Sequence, residues 1–204
     1  LVRHGHARSA DDRVVAGHAG CRGLSDLGRR QAEALRDRLA VQRFRPDAVV
    51  TSLLPRAVET AEIVAEGLVD DPSAIPRDCD LCERHPGDAD GWSWEELAAR
   101  HGGVDPVRHP DRPPAPGGES GRAMRQRVVA TVAQLSHRYP GRTVLVVTHA
   151  GVILHATLHL LGLGPRWFAH DLANTSVTEW VRDGEGRWLL GRFNDAAHLE
   201  ALGA

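Results

Sequence analysis

Thr143-Val144-Leu145-Val146-Val147-Thr148, followed at once by His149-Ala150-Gly151, is the stretch on which the architecture turns. Six β-branched and aliphatic residues in a row leave no polar face, so the run reads as a central parallel strand covered on both sides. Parallel strands need long crossovers, usually helical, and the flanking sequence supplies them. Glu119 to Tyr139 reads as a helix before the strand, and Gly151 to Leu161 restarts one behind it. Upstream, Asp47-Ala-Val-Val-Thr51 is a second short apolar strand. Leu24, Leu27, Gln31, Ala32, Leu35 and Leu39 recur at helical spacing after Ser25, which predicts a helix over 26–42. Pro55 sits at a first helical position and opens another helix through about Leu68. Thr175 to Val181 and Arg187 to Phe193, joined by Asp183-Gly-Glu-Gly186, predict a hairpin.

Strands alternating with helices predict a three-layer α/β/α sandwich around a mostly parallel sheet. No internal repeat or boundary divides the chain, so residues 1–204 are read as a single domain. Ser93 and Glu96 form a candidate capping box for a short helix reaching about Arg100. Val104 to Gly118 carries five prolines and little apolar content, the composition of an irregular surface loop. Residues 79–118 are therefore expected to be a capping insertion over the site.

The chain of 204 residues has 25 basic and 27 acidic side chains and 42% hydrophobic residues, the balance of an ordinary globular domain. A net charge of −2 argues against a nucleic-acid or membrane-surface module, which needs a large clustered positive field. Every basic residue is arginine, and the absence of lysine excludes Schiff-base chemistry and P-loop ATP hydrolysis. Three cysteines, Cys21, Cys79 and Cys82, are an odd number in a long chain and point to a reducing, cytoplasmic setting rather than a disulfide framework. No leader or membrane-spanning run is apparent in the sequence given.

In sheets of this kind the site lies beyond the carboxyl ends of the strands. Three segments place polar residues there: Leu1-Val-Arg3-His4-Gly5, Val49-Val-Thr-Ser52 with Arg56 in the helix that follows, and Val146-Val-Thr148-His149-Ala-Gly151. Two arginines and two histidines at one sheet edge make a cationic pocket suited to phosphate. Guanidinium offers a planar fork of donors, and neutral imidazole can attack phosphorus. In-line positioning and stabilisation of the equatorial oxygens need no metal. The leaving oxygen still needs a proton, and Glu83, beside the anionic substrate, is the candidate donor.

These segments, with Ser52-Leu-Leu-Pro-Arg-Ala-Val-Glu-Thr-Ala61, Pro116-Gly-Gly-Glu-Ser120 and Leu24-Ser-Asp-Leu-Gly28, resemble in order the motifs of the histidine phosphatase superfamily, in its phosphoglycerate-mutase-like branch. The resemblance implies that His4 is the nucleophile that carries phosphohistidine. It implies a phosphate clamp of Arg3, Arg56 and His149, with Glu83 as the acid. It implies no cofactor and no catalytic metal, and a small phosphomonoester as the binding partner.

His6, Ala7 and Ala10 stand where many family members have an acidic or amide residue, a hydroxyl and an asparagine, and Pro86 stands where mutases usually have tyrosine. The mutase lysine is absent. A hydrolase is therefore expected ahead of a cofactor-dependent mutase-type transferase or a non-catalytic phosphate- or phosphopeptide-binding module. Arg84, His85, His6 and Arg8 are candidate specificity contacts, with solvated surface as their ordinary fate. Trp92 and Trp94 are read equally as a lid or as a hydrophobic staple. Cys79-Asp-Leu-Cys82 has the spacing of half a zinc site, but no second half follows, so no metal is assigned. His155 and His159 lack the glutamate of a hydrolytic metal motif and are read as packing or surface. The terminal hairpin leaves an edge strand through which a homodimer could form.

Overall fold

The computed structural model describes residues 1–102, 105–164 and 171–202; Val104, the first residue of the expected proline-rich loop, lies outside them. Six strands, β1 (Val2–Arg3), β2 (Ala48–Ser52), β3 (Arg77–Asp78), β4 (Val144–Thr148), β5 (Val177–Arg182) and β6 (Trp188–Asp195), form one sheet in the order β3-β2-β4-β1-β5-β6. The first four run parallel, and β5 and β6 return antiparallel along one side. The sheet is thus mixed but mostly parallel, as expected.

β2 and β4 are buried on both faces, and their alternation sorts the core into two layers. Val49, Leu145, Val147 and Val2 face Ala32, Leu35 and Leu39 of α2 (Asp26–Val41), with Ala57, Ala61 and Val64 of α3 (Pro55–Val64). Val50 and Val146 face Met124 and Val128 of α5 (Gly121–Arg138), with Val152 and Ala156 of α6 (Ala150–Leu160). Each large aliphatic side chain so buried contributes about 1.5–3 kcal/mol.

Local chemistry sets the helix starts. The Ser25 hydroxyl accepts from Gly28 N at 3.1 Å, and Ser93 accepts from Glu96 N at 3.0 Å to open α4 (Trp94–His101). The helix expected to reach Leu68 ends at Val64, because the chain turns through Gly67 at φ +74°. A four-residue turn of helix, α1 (Arg8–Asp11), has no counterpart in the sequence reading.

The loop after β1 presses directly on the start of α2. A Cβ at Gly5 would lie 2.5 Å from Gly28 O, and one at Gly28 would lie 2.1 Å from His6 O. Only two glycines permit this approach.

After β6 the chain closes with a 3-10 helix, Ala197–Leu202, tied to α2 where Asp195 pairs with both terminal nitrogens of Arg38. The Arg38 guanidinium brings the Asp195 carboxyl down from 3.8 to about 2. Because the folded value is depressed, the stabilisation is complete above pH 4 and is lost as the pH falls through 2. Asp195→Asn should therefore lower the urea midpoint at pH 6 and have little effect near pH 2. An equal effect at both values would remove the ion pair as its cause.

Candidate active site

Parallel β1, β2 and β4 end at the same edge, and their last residues and the segments that follow bring Arg3, His4, Ser52, Arg56 and His149 to one place. His4 is buried, and both nitrogens of its ring are engaged. Its Nδ1 lies 2.7 Å from Gly5 O, which can only accept, so Nδ1 carries the proton and Nε2 keeps its lone pair. That lone pair receives Nε–H of Arg56 at 3.1 Å. Asn174 donates to His4 O at 3.0 Å, and Gly5 N donates to the Thr60 hydroxyl at 3.0 Å. Burial, reinforced by the guanidinium charges of Arg56 and Arg3, drives the His4 imidazole well below its ordinary 6.5. The ring is neutral at physiological pH, with its lone pair on Nε2 engaged by Arg56.

Arg56 sits in the first turn of α3, buried, and its Nη1 is anchored on Ala16 O at 2.9 Å. Arg3 donates through Nη1 to Leu172 O, while its buried Nε has no hydrogen-bond partner among the described residues. A phosphoryl oxygen is the natural acceptor for such a donor.

His149 is fully buried against His4, with ring centroids 5.0 Å apart. Its Nε2 bonds the Ser52 hydroxyl at 2.8 Å, its Nδ1 has no partner, and burial with the Arg56 charge keeps it neutral.

Glu83 is held by two backbone donors, Gly151 N at 3.1 Å and Arg84 N at 3.0 Å. A Cβ at position 151 would come within 2.2 Å of Glu83 Oε1, so the glycine after the second histidine is what admits the carboxylate to this edge. The competing carboxylates are engaged elsewhere. Glu95 pairs with Arg13, Glu96 with Arg100, and Glu119 with Arg127 in a nearly buried pair. Arg127 also caps Asp80 O and Cys82 O at 2.7 and 2.9 Å, which fixes the turn that delivers Glu83.

Arg3, His4, Arg56 and Glu83 share a cavity of about 470 Å³. His6 and Arg84 are on its wall. His85 and Arg8 are not: His85 stacks edge-on to His18 at 5.7 Å, and Arg8 Nε is spent on Leu24 O at 3.0 Å. His155, read as packing or surface, does line the cavity, as does Asn174, whose role no sequence pattern signalled. The two tryptophans divide the roles proposed for them. Trp94 is exposed and lines the cavity, whereas Trp92 is packed against Leu97 and Ala89 beneath Arg100. The outer wall is otherwise largely apolar, with Val14, Val15, Leu97, Pro106, Pro114 and Leu154.

Residues 1–196 match the family model of the histidine phosphatase superfamily, branch 1. The chain belongs to that family. Among the histidine phosphatases it resembles is the metal-independent phosphoserine phosphatase of Arabidopsis thaliana, 30% identical over all of this chain and 83% of that protein. Among solved structures, Bacillus stearothermophilus YhfR superposes with a TM-score of 0.82 at 30% identity, covering 98% of this chain and 97% of the other. The mycobacterial glucosyl-3-phosphoglycerate phosphatase superposes with a TM-score of 0.73 at 31% identity, covering 95% and 96%. The chain is accordingly placed in the phosphatase class of this superfamily. Among the described residues no helix is long and apolar enough to cross a membrane.

Proposed function

We propose that this histidine phosphatase hydrolyses a small phosphomonoester without metal, through a phosphohistidine on His4. The observation that carries the reading is the His4 tautomer: with Nδ1–H committed to Gly5 O, the only lone pair on the ring is on Nε2, beside Arg56 at the cavity. Substrate draws the Arg56 and Arg3 guanidinium groups onto its phosphoryl oxygens, which frees Nε2. The Nε2 lone pair then forms the bond to phosphorus as the bond to the ester oxygen breaks. The Glu83 carboxyl gives its proton to that oxygen, and the alcohol leaves. Water attacks the phosphohistidine, its proton passes to the Glu83 carboxylate, and phosphate departs with Nε2 restored. His149 supports the nucleophile through its ring contact with His4.

Trp94, Leu97, Pro106 and Pro114 on the outer wall support a capping role for 79–118. The three free thiols favour a reducing, cytoplasmic setting.

The test is phosphate release from a panel of phosphomonoesters in excess EDTA. Sustained release is expected. Saturable phosphate binding with no release would instead make the chain a binding module. Isomerisation of a phosphoglycerate outpacing release would make it a transferase.

A further inference from the structure

We propose that His18, Cys79 and Cys82 form a binding site for zinc or a similarly soft divalent cation, separate from the phosphate pocket. Their ligand atoms, one imidazole nitrogen and two sulfurs, all lie within 4.8 Å of one another, and His18 Nε2 is 3.8 Å from Cys79 Sγ. Zinc bonds of about 2.3 Å to sulfur and about 2.0–2.1 Å to nitrogen imply ligand separations of roughly 3.5–3.8 Å at tetrahedral angles. The three atoms need only small rotations to reach them.

Both halves of the site are built in advance. The Asp90 carboxylate accepts from the backbone N–H groups of Gly17, Ala19 and Gly20 at 2.8, 2.8 and 2.9 Å, which wraps the loop around it and sets His18 at its tip. On the other side Cys79–Leu81 is a 3-10 turn. It is closed by Cys82 N on Cys79 O at 2.9 Å, capped by Asp78 on Asp80 N at 2.8 Å and held from below by Arg127. Positioning by rigid backbone is what distinguishes a prepared metal site from a chance cluster.

Cys82 is fully buried, Cys79 half-buried and His18 exposed, so a cation enters from solvent and keeps its fourth position for water. Binding releases the two thiol protons to solvent, and Zn²⁺ with two thiolates and a neutral imidazole is uncharged, which suits the apolar surroundings of Leu54 and Cys21.

The site would pin together two walls of the cavity. One is the segment that holds Ala16, whose carbonyl anchors Arg56; the other is the turn that leads into Glu83.

Fully reduced protein is titrated with Co²⁺ and then Zn²⁺. One equivalent per chain should give a sulfur-to-cobalt charge-transfer band that zinc abolishes. Cys79→Ser and His18→Gln, both at accessible side chains, should each weaken binding at least about tenfold while keeping the metal-free thermal midpoint. Zinc at a hundredfold excess over Kd should raise the wild-type midpoint by roughly 5–10 °C and leave that of Cys79→Ser unmoved. Absence of the charge-transfer band, or binding that survives both substitutions, would overturn the assignment. So would cobalt displaced by inorganic phosphate, which would put the cation in the phosphate pocket.

Discussion

His4→Ala is expected to lower phosphate release by at least about 10³-fold on every substrate the wild type accepts, since no other group on the cavity wall offers a lone pair in the same place. The side chain is buried, so the variant should be compared at matched folded concentration, with His4→Gln as a closer replacement in volume. Rapid acid quenching is unsuitable for the intermediate, because phosphohistidine is acid-labile; quenching in alkali should trap a labelled protein in the wild type and none in either variant. Because burial and the two arginines depress the His4 pKa, the acidic limb of the rate profile should fall well below 6.5. Retention of most of the turnover in His4→Ala would end the phosphohistidine mechanism.

Gly28→Ala should be the most damaging single methyl group in the site's scaffold. Within a helix, replacing glycine with alanine ordinarily stabilises by about 1 kcal/mol. Here the new Cβ would meet backbone alone, His6 O at 2.1 Å, His6 N at 2.8 Å and His6 C at 2.9 Å, and backbone cannot rotate away as a side chain can. Overpacking of this kind costs about 1–3 kcal/mol, and more where nothing yields. With backbone that cannot yield, the cost lies at the upper end, about 3 kcal/mol, so the balance is a net loss of about 2 kcal/mol, a fall of roughly 4–8 °C in the thermal midpoint for a chain of this size. The displaced loop is the one that carries Gly5 O, the acceptor that sets the His4 tautomer, so kcat should fall with stability. A midpoint at or above the wild-type value would show that the loop moves freely from α2 and that its position is not built into the fold.

The parts that could be read from the sequence are those whose physics is local. β2 and β4 are buried on both faces, so their apolar runs are unmistakable. Ser25 and Ser93 mark helix starts because each caps a backbone N–H three residues on, and Pro55 does so because its fixed φ suits the first helical position. Arg3, His4, Arg56 and Glu83 came from ordered motifs and do converge. What the sequence hid depends on direction rather than spacing. His149 follows its strand just as His4 does, and a strand-end pattern does not say which of the two rings lies deeper. His85 follows Glu83 by two residues but is carried away by the turn that leads into it. The approach of His18 to Cys79 and Cys82 has no local signature, because His18 lies 61 residues upstream of Cys79 in a loop organised by Asp90.

The placement of β1 also bears on how the chain is made. This two-residue strand lies between β4 and β5, with Val2 opposite both Val147 and Val177. During synthesis the residues that carry Arg3 and His4 emerge before these neighbours and wait for partners about 145 and 175 positions later. Contacts so distant along the chain form late. α2, α3 and β2 can gather earlier around their own apolar faces, but the cationic pocket is not assembled until β4 and β5 have left the ribosome. A shorter nascent chain therefore exposes no assembled anion trap, and the nucleophile takes its place only after those late strands arrive.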